Sequence, residues 1–186
     1  MAKLVYTAIT SLDGCTTDAS GAIGWGVPDP VVHGRINDLE RDIGTYLYGR
    51  RMYQSMVYWE TFEAAAGDPP ELADFTALWR AADKIVYSST LDAVSGPRTR
   101  IERNFDPEVV RHLVASSPHD VSIGGAGLAG QALAAGLVDE VHLFVAPVSV
   151  GGGTDALPVG VHLELELVAV DRFASGFVHL HYRTDS

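Results

Sequence analysis

Short apolar runs alternate along this chain with stretches whose apolar residues recur at helical spacing. That order predicts a βα-repeating fold closed by an antiparallel pair. Lys3 to Thr10 is apolar and rich in β-branched and aromatic residues, which predicts a buried strand. Ser11 to Gly26 is a long loop with four glycines, and loops this long in compact domains are often functional. Asp29 or one of its neighbours is positioned to cap a predicted helix from about Pro30 to Gly44, with Val32, Ile36, Leu39 and Ile43 on one face. Thr45 to Tyr48 is a short strand, followed by a corner at Gly49 into a second helix. Phe62 to Pro70 is rich in breakers, Glu71 to Ala82 is helical, and Lys84 to Ser88 is a strand. Val94 to Arg103 reads as a polar loop with three arginines, and Asp106-Pro107 opens a helix over Glu108 to Ala115.

Val121 to Gly153 is the most informative stretch: a buried strand, a glycine-rich corner, a small-residue helix and a second strand over Val141 to Val150. The pattern then changes. His162 to Val168 places Leu163, Leu165 and Leu167 opposite Glu164 and Glu166. Phe177 to Arg183 places Val178, Leu180 and Tyr182 opposite His179 and His181, with Ser175-Gly176 as the turn between the two strands. The fold class is therefore α/β, a mainly parallel twisted sheet with flanking helices and an antiparallel C-terminal strand.

With 186 residues, one domain spanning 1–186 is the natural division. The net charge of −11 argues against nucleic acid or an anionic membrane as partner. Any phosphate must then be held locally, by a few arginines and backbone amides. Cys15 is the only cysteine, which excludes an intrachain disulfide and a thiolate metal cluster. The N-terminal segment reads as the first strand rather than a signal peptide, and no apolar run approaches a membrane span. A cytoplasmic protein is the default expectation.

Gly125, Gly127 and Gly130 match G-x-G-x-x-G literally. A Rossmann fingerprint normally opens the fold and needs an acidic residue about 20 positions on. Here the unit comes late and its next strand ends in Ala146-Pro147. Two readings stand for Gly124-Gly125: amides facing a pyrophosphate, or a tight corner with close helix packing. Arg50 and Arg51, after Gly49, oppose the helix dipole at a strand end and so call for a compensating anion, or else are solvated surface residues. Ser88, Ser89 and Thr90 bind phosphate or sugar, or cap a turn. Arg98, Arg100 and Arg103 form the basic cluster of an acidic chain. Asp13, Asp29 and His33 are the candidate proton donors, with Asp13 also a candidate substrate contact. Ile23 and Trp25 either cover a flat ring or belong to the core. His179 and His181 lack a third ligand pattern, so a solvent-facing strand and no metal are expected.

Taken together and in order, SLDG, G-x-IGW, YLYGRRMYQSM, ADKIVYSSTL, VSIGGAGLAGQAL, AGLVDEVHLFVAPVSVGGG and FVHLHYR resemble the dihydrofolate reductase-like family. The similar branch is the reductase domain of the bifunctional riboflavin-biosynthesis deaminase/reductase and its stand-alone relatives. The resemblance runs from about Lys3 to Arg183 and implies NADPH as cofactor and a homodimer. It implies phosphate contacts at Gly49, Arg50, Arg51 and Met52, and adenosine contacts at Ser88, Ser89 and Thr90. It further implies pyrophosphate and nicotinamide contacts at Gly124, Gly125, Ala126, Gly127 and Leu128. Thr7, Ala8, Asp13 and Ile23 to Trp25 would line the nicotinamide and substrate pocket.

Three departures stand out. The family usually has threonine where Met52 stands, and often arginine where Ser89 stands, unless Arg98 or Arg100 substitutes. A deaminase zinc signature cannot be built with one cysteine. The resemblance implies NADPH-dependent reduction of a pyrimidine- or pteridine-like molecule, with 5-amino-6-(5-phosphoribosylamino)uracil as the named substrate. The alternatives are dihydrofolate reduction, which expects a carboxylate on the first helix, and a non-catalytic nucleotide-binding dimeric module.

Overall fold

The structure is a computed structural model that describes residues 1–184. Ten strands form, in chain order: β1 (Leu4–Thr10), β2 (Cys15–Asp18), β3 (Ile43–Gly49), β4 (Asp83–Tyr87), β5 (Thr99–Glu102), β6 (Asp120–Gly124), β7 (Glu140–Val145), β8 (Gly153–Asp155), β9 (Leu165–Arg172) and β10 (Val178–Thr184). Five α-helices separate them: α1 (Pro30–Glu40), α2 (Arg50–Met56), α3 (Pro70–Ala81), α4 (Pro107–Ser116) and α5 (Ala126–Ala134). Eight strands make one sheet in the order β5-β4-β3-β6-β1-β7-β10-β9. The pairs from β5 to β7 are parallel, and β10 is antiparallel to both β7 and β9. Among the described residues no helix is long and apolar enough to cross a membrane.

The parallel strands are buried on both faces, so they read as continuous apolar runs. Leu4, Tyr6, Leu47, Ile85, Ile123 and Val141 face a core built with α4 and α5, while Val5, Tyr46, Tyr48 and Val86 face Phe75 and Trp79 of α3. Trp79 is fully buried. Replacing such a ring by alanine typically costs about 3–5 kcal/mol. A third cluster, Val32, Phe144, Ala146 and Phe177, lies where α1 covers β7 and β10.

Two strand boundaries shift, β7 ending at Val145 rather than Val150 and β9 running over Leu165–Arg172 rather than 162–168, and four further sequence expectations change. The first helix ends at Glu40, not Gly44, because Ile43 opens β3 and pairs with Asp120. Gly44 lies inside that strand, where a Cβ would come within 2.8 Å of His119 Cβ. The loop after β1 contains β2, which pairs with β8. Glycine is required at position 153, since a Cβ there would lie 1.8 Å from the Thr17 carbonyl oxygen. The polar loop with three arginines contains β5, an exposed edge strand with no apolar signal. The His179–His181 face points away from solvent: His179 is 0% exposed, and His142, opposite His181, is 3% exposed. Helix α1 lies over this part of the sheet, and His179 stacks on Phe144 with centroids 4.4 Å apart.

Candidate functional site

In open parallel sheets, ligands bind at the carboxyl ends of the strands. Here β3, β4 and β6 end side by side, with Tyr48 opposite Gly124 and Gly49 opposite Tyr87. Helices α2 and α5 therefore start next to each other. Both have glycine N-caps, Gly49 and Gly125, and neither cap supplies a side-chain oxygen. Helices α1 and α4, by contrast, are capped by the carboxylates of Asp29 and Asp106, each worth about 1 kcal/mol. In α5 the Leu128 amide already donates to the Gly125 carbonyl, so it is the amides of Ala126 and Gly127, with those at the start of α2, that are left for an outside anion.

Two arginines reinforce this polarity. Arg50 Nη1 donates to Thr90 Oγ1 at 2.8 Å, tying the Gly49 corner to the turn after β4. The exposed Arg51 side chain has no hydrogen-bond or ion-pair partner among the described residues. Arg35, Arg41, Arg80, Arg98, Arg100, Arg111 and Arg183 all sit against carboxylates. The corner is thus a local positive spot on an acidic chain.

The glycines divide between packing and access. A Cβ on Gly124 would meet Tyr48 at 2.9 Å and Met52 Cγ at 3.2 Å, so that glycine makes room for neighbouring side chains. Gly125 has φ +93°, which favours glycine, and its added Cβ would lie 3.2 Å from Met52 Cβ. Gly127 is exposed and has open space where a Cβ would point. Ala126 is half-buried beside it, and Leu128 turns into the core with Ala129. Met52 fills the gap between the two corners, its Cβ and Cγ lying against Gly124 and Gly125.

The other candidates are placed less favourably. Ser88 Oγ accepts from the amides of Thr90 and Leu91, so it caps its own turn, while Ser89 is exposed. Arg98 pairs with Asp83 at the opposite end of β4, and Arg100 pairs with Glu102. Neither replaces the arginine missing at Ser89. Arg103 braces the carbonyls of Ser88 and Leu91.

Asp13 accepts from the amides of Val150 and Gly151 at 3.1 and 2.7 Å, clamping the β1–β2 turn to the loop before β8. The Ser11 hydroxyl and these amides hold its carboxyl far below the usual range. Asp29 accepts from Val31 and Val32 at the start of α1, and with the Ser175 side chain this lowers its pKa too. Both are carboxylates at neutral pH, engaged in holding loops, and neither is poised to give a proton. His33 is half-buried between Trp59 and Phe75, its pKa is lowered by burial, and its Nδ1 lacks a partner. The buried Thr7 hydroxyl is unpartnered as well. Ala8 packs on the core cluster containing Leu128. Trp25 packs into the cluster under α1, and Ile23 is 54% exposed. Helix α1 offers no free inward carboxylate for a pterin, since Asp29 is a cap and Glu40 is buried and pushed up to about 7 by desolvation.

A family model described as the RibD C-terminal domain matches residues 2–179. The chain belongs to this family. YyaP, an uncharacterized protein of Bacillus subtilis (strain 168), is 28% identical over 182 residues, covering 97% of this chain and 94% of that one. A putative riboflavin biosynthesis protein from Shewanella sp. PV-4 superposes with TM-score 0.75 at 18% identity, covering 99% of both chains. A dihydrofolate reductase from Enterococcus faecalis complexed with NADP(H) superposes with TM-score 0.62 at 13% identity, covering 99% of this chain and 97% of that one. These likenesses establish the dihydrofolate reductase-like fold for this RibD C-terminal domain. Sequence reading missed the clamp at Val150 and Gly151, because backbone amides leave no residue signature.

Proposed function

We propose that this RibD C-terminal domain is an NADPH-dependent reductase of a pyrimidine- or pteridine-like small molecule, working in the cytoplasm as a homodimer. The activity in best accord with family membership is reduction of 5-amino-6-(5-phosphoribosylamino)uracil. A diaminohydroxyphosphoribosylaminopyrimidine deaminase/5-amino-6-(5-phosphoribosylamino)uracil reductase from Thermotoga maritima superposes with TM-score 0.69 at 16% identity, and this chain spans 57% of its length.

The observation that carries the reading is the pair of glycine-capped helix starts at adjacent strand ends, flanked by Arg50 and Arg51. Uncapped amides beside arginines with no carboxylate partner suit a pyrophosphate. Gly49, Arg50, Arg51, Ala126 and Gly127 would hold the phosphates, and Thr90 would lie at the adenosine end. NADPH, when bound, supplies the hydride. The chain's own work is to place the two rings in contact and keep water out. With Asp13 and Asp29 engaged elsewhere, His33 Nδ1 is the remaining side-chain candidate for a polar role near the substrate. The apolar side chains Leu167, Val168 and Val170 on edge strand β9 are 42–52% exposed and give a second copy a surface to cover.

The test is a thermal-shift titration with NADPH and NADH, followed by NADPH oxidation with a panel of aminopyrimidines and pterins. Stabilisation by NADPH and turnover of an aminopyrimidine are expected. No stabilisation by either nucleotide at saturation would remove the basis of the proposal. Binding without turnover across the panel would favour a non-catalytic module.

A further inference from the structure

At the opposite end of the sheet from the glycine corners lies a second polar cluster. His142 on β7 pairs directly with His181 on β10, and Glu140 lies two residues before His142. All three side chains therefore share one face. The two imidazoles stack with centroids 4.1 Å apart and planes 18° apart. Glu140 Oε2 lies 3.6 Å from His142 Nε2 and 3.4 Å from His181 Nε2. One ligand atom from each of the three residues falls within 4.8 Å of the others. Atoms bound tetrahedrally to one zinc ion at about 2.0–2.2 Å sit roughly 3.4 Å apart, so this spacing suits a coordination shell.

The surrounding bonds determine where the protons lie. Asp171 Oδ2 accepts from Arg35 Nε at 3.1 Å and lies 3.0 Å from His179 Nδ1. A carboxylate there requires the His179 proton on Nδ1, which makes His179 Nε2 an acceptor. His142 Nδ1 lies 3.0 Å from that nitrogen and must donate its own proton to it. His142 Nε2 is left as a bare lone pair on a side chain only 4% exposed, aimed at Glu140. Lys3 Nζ engages Glu140 Oε1 at 2.6 Å, which leaves Oε2 facing the imidazoles. His181 Nε2 is buried and has no hydrogen-bond partner. Glu140 Oε2 and the His142 Nε2 lone pair thus converge with the unpartnered His181 Nε2, which presents a third lone pair in its Nδ1–H tautomer.

We propose that Glu140, His142 and His181 bind one divalent transition-metal ion of the zinc class per chain. Two imidazoles and one carboxylate suit such an ion, whereas magnesium and calcium take oxygen shells. His179 and Asp171 form the outer layer that fixes the His142 tautomer. The Glu140 and His181 side chains keep 15% and 17% exposure, which leaves an approach for the ion and for a water as fourth ligand. The ion ties β7 to β10 and, through Lys3, to the start of β1. It thus secures the parallel-to-antiparallel border, away from the cofactor corners.

The test uses untagged protein stripped with chelator, then titrated with ZnCl₂ by calorimetry and with CoCl₂ by visible absorption. One saturable site per chain, tetrahedral cobalt bands and a rise in Tm with zinc are expected. His181→Gln and Glu140→Gln should each weaken binding at least 100-fold. Asp171→Asn should weaken it about 10–100-fold. His162→Gln, at an exposed histidine, should leave it unchanged. Absence of saturable binding in the native chain overturns the proposal, as does full affinity in folded His181→Gln or loss of affinity in His162→Gln. Should His181→Gln fail to fold, the native chain and Asp171→Asn decide the matter.

Discussion

Gly127→Ala separates the two roles a glycine-rich corner can play, because it should move stability and cofactor affinity in opposite directions. Position 127 is the second residue of α5, has ordinary helical φ, and offers open space where a Cβ would point. Alanine is favoured over glycine in a helix by roughly 0.5–1 kcal/mol. No contact in the folded chain opposes that gain. For a domain of this size it corresponds to a rise in Tm of roughly 1–4 °C. The same methyl projects from the exposed side of the uncapped helix start, where a pyrophosphate would have to approach the amides closely. NADPH affinity should therefore fall about tenfold or more, equivalent to about 1.4 kcal/mol. Gly125→Ala is the internal comparison. Its φ of +93° and a Met52 Cβ only 3.2 Å from the new methyl predict a loss of stability, of order 1–3 kcal/mol. Differential scanning fluorimetry, with and without NADPH, reads both effects. A Gly127→Ala protein that is more stable and binds NADPH as tightly as the parent would refute the pyrophosphate reading of α5. One that is less stable would refute the packing argument.

Arg51→Ala removes a charge with no carboxylate partner, so fold stability should change by no more than about 0.5 kcal/mol. NADPH affinity should drop, with the gap widening at low ionic strength; a salt-independent gap in calorimetry would refute the charge argument. Lys84 is 1% exposed, donates to the carbonyls of Trp79 and Ala82 at 3.1 and 3.0 Å, and lies over the Trp79 ring. Lys84→Met should cost about 1–3 kcal/mol per orphaned carbonyl in urea unfolding, and an unchanged midpoint would contradict that. Burial raises the Glu40 pKa from 4.5 to about 7 in the folded chain, so the unfolded chain loses this proton first and stability falls by about 3 kcal/mol as pH rises from 4.5 to 7. Glu40→Gln should flatten urea midpoints over that window, and an undiminished slope would assign the pH dependence to other groups.

The parts of the fold that the sequence made legible are those whose burial is written in side chains. Strands β1, β3, β4, β6 and β7 are apolar because helices cover both faces, and all five were placed from that pattern. Strand β5 carries Arg100 and Glu102 on an exposed edge, so its pairing with β4 left no hydrophobic trace. Strands β2 and β8 are three or four residues long and are specified by backbone fit, with Gly153 against Thr17. The end of α1 is hidden in the sequence for a different reason. Ile43 falls at helical spacing from Ile36 and Leu39, yet it is the first residue of β3, and periodicity alone cannot distinguish the two.

The candidate site divides along the same physical line. Corners made by chain order, Gly49-Arg50-Arg51 and Gly124-Gly125, were visible because adjacent residues carry them. The roles of Asp13 and Asp29 were not, because a carboxylate beside a glycine loop reads the same whether it faces a substrate or accepts from Val150 and Gly151 across 137 and 138 residues of chain. The histidine face fails in the opposite direction. His179 and His181 alternate as a solvent-facing strand would, and only the β7–β10 register brings Glu140 and His142 alongside them under α1. Of these alignments, E-V-H in one strand against H-L-H in the next is the one signal that was present in the residues. Recognising it requires knowing that the two strands are neighbours, which the antiparallel return of β10 supplies and no local pattern can.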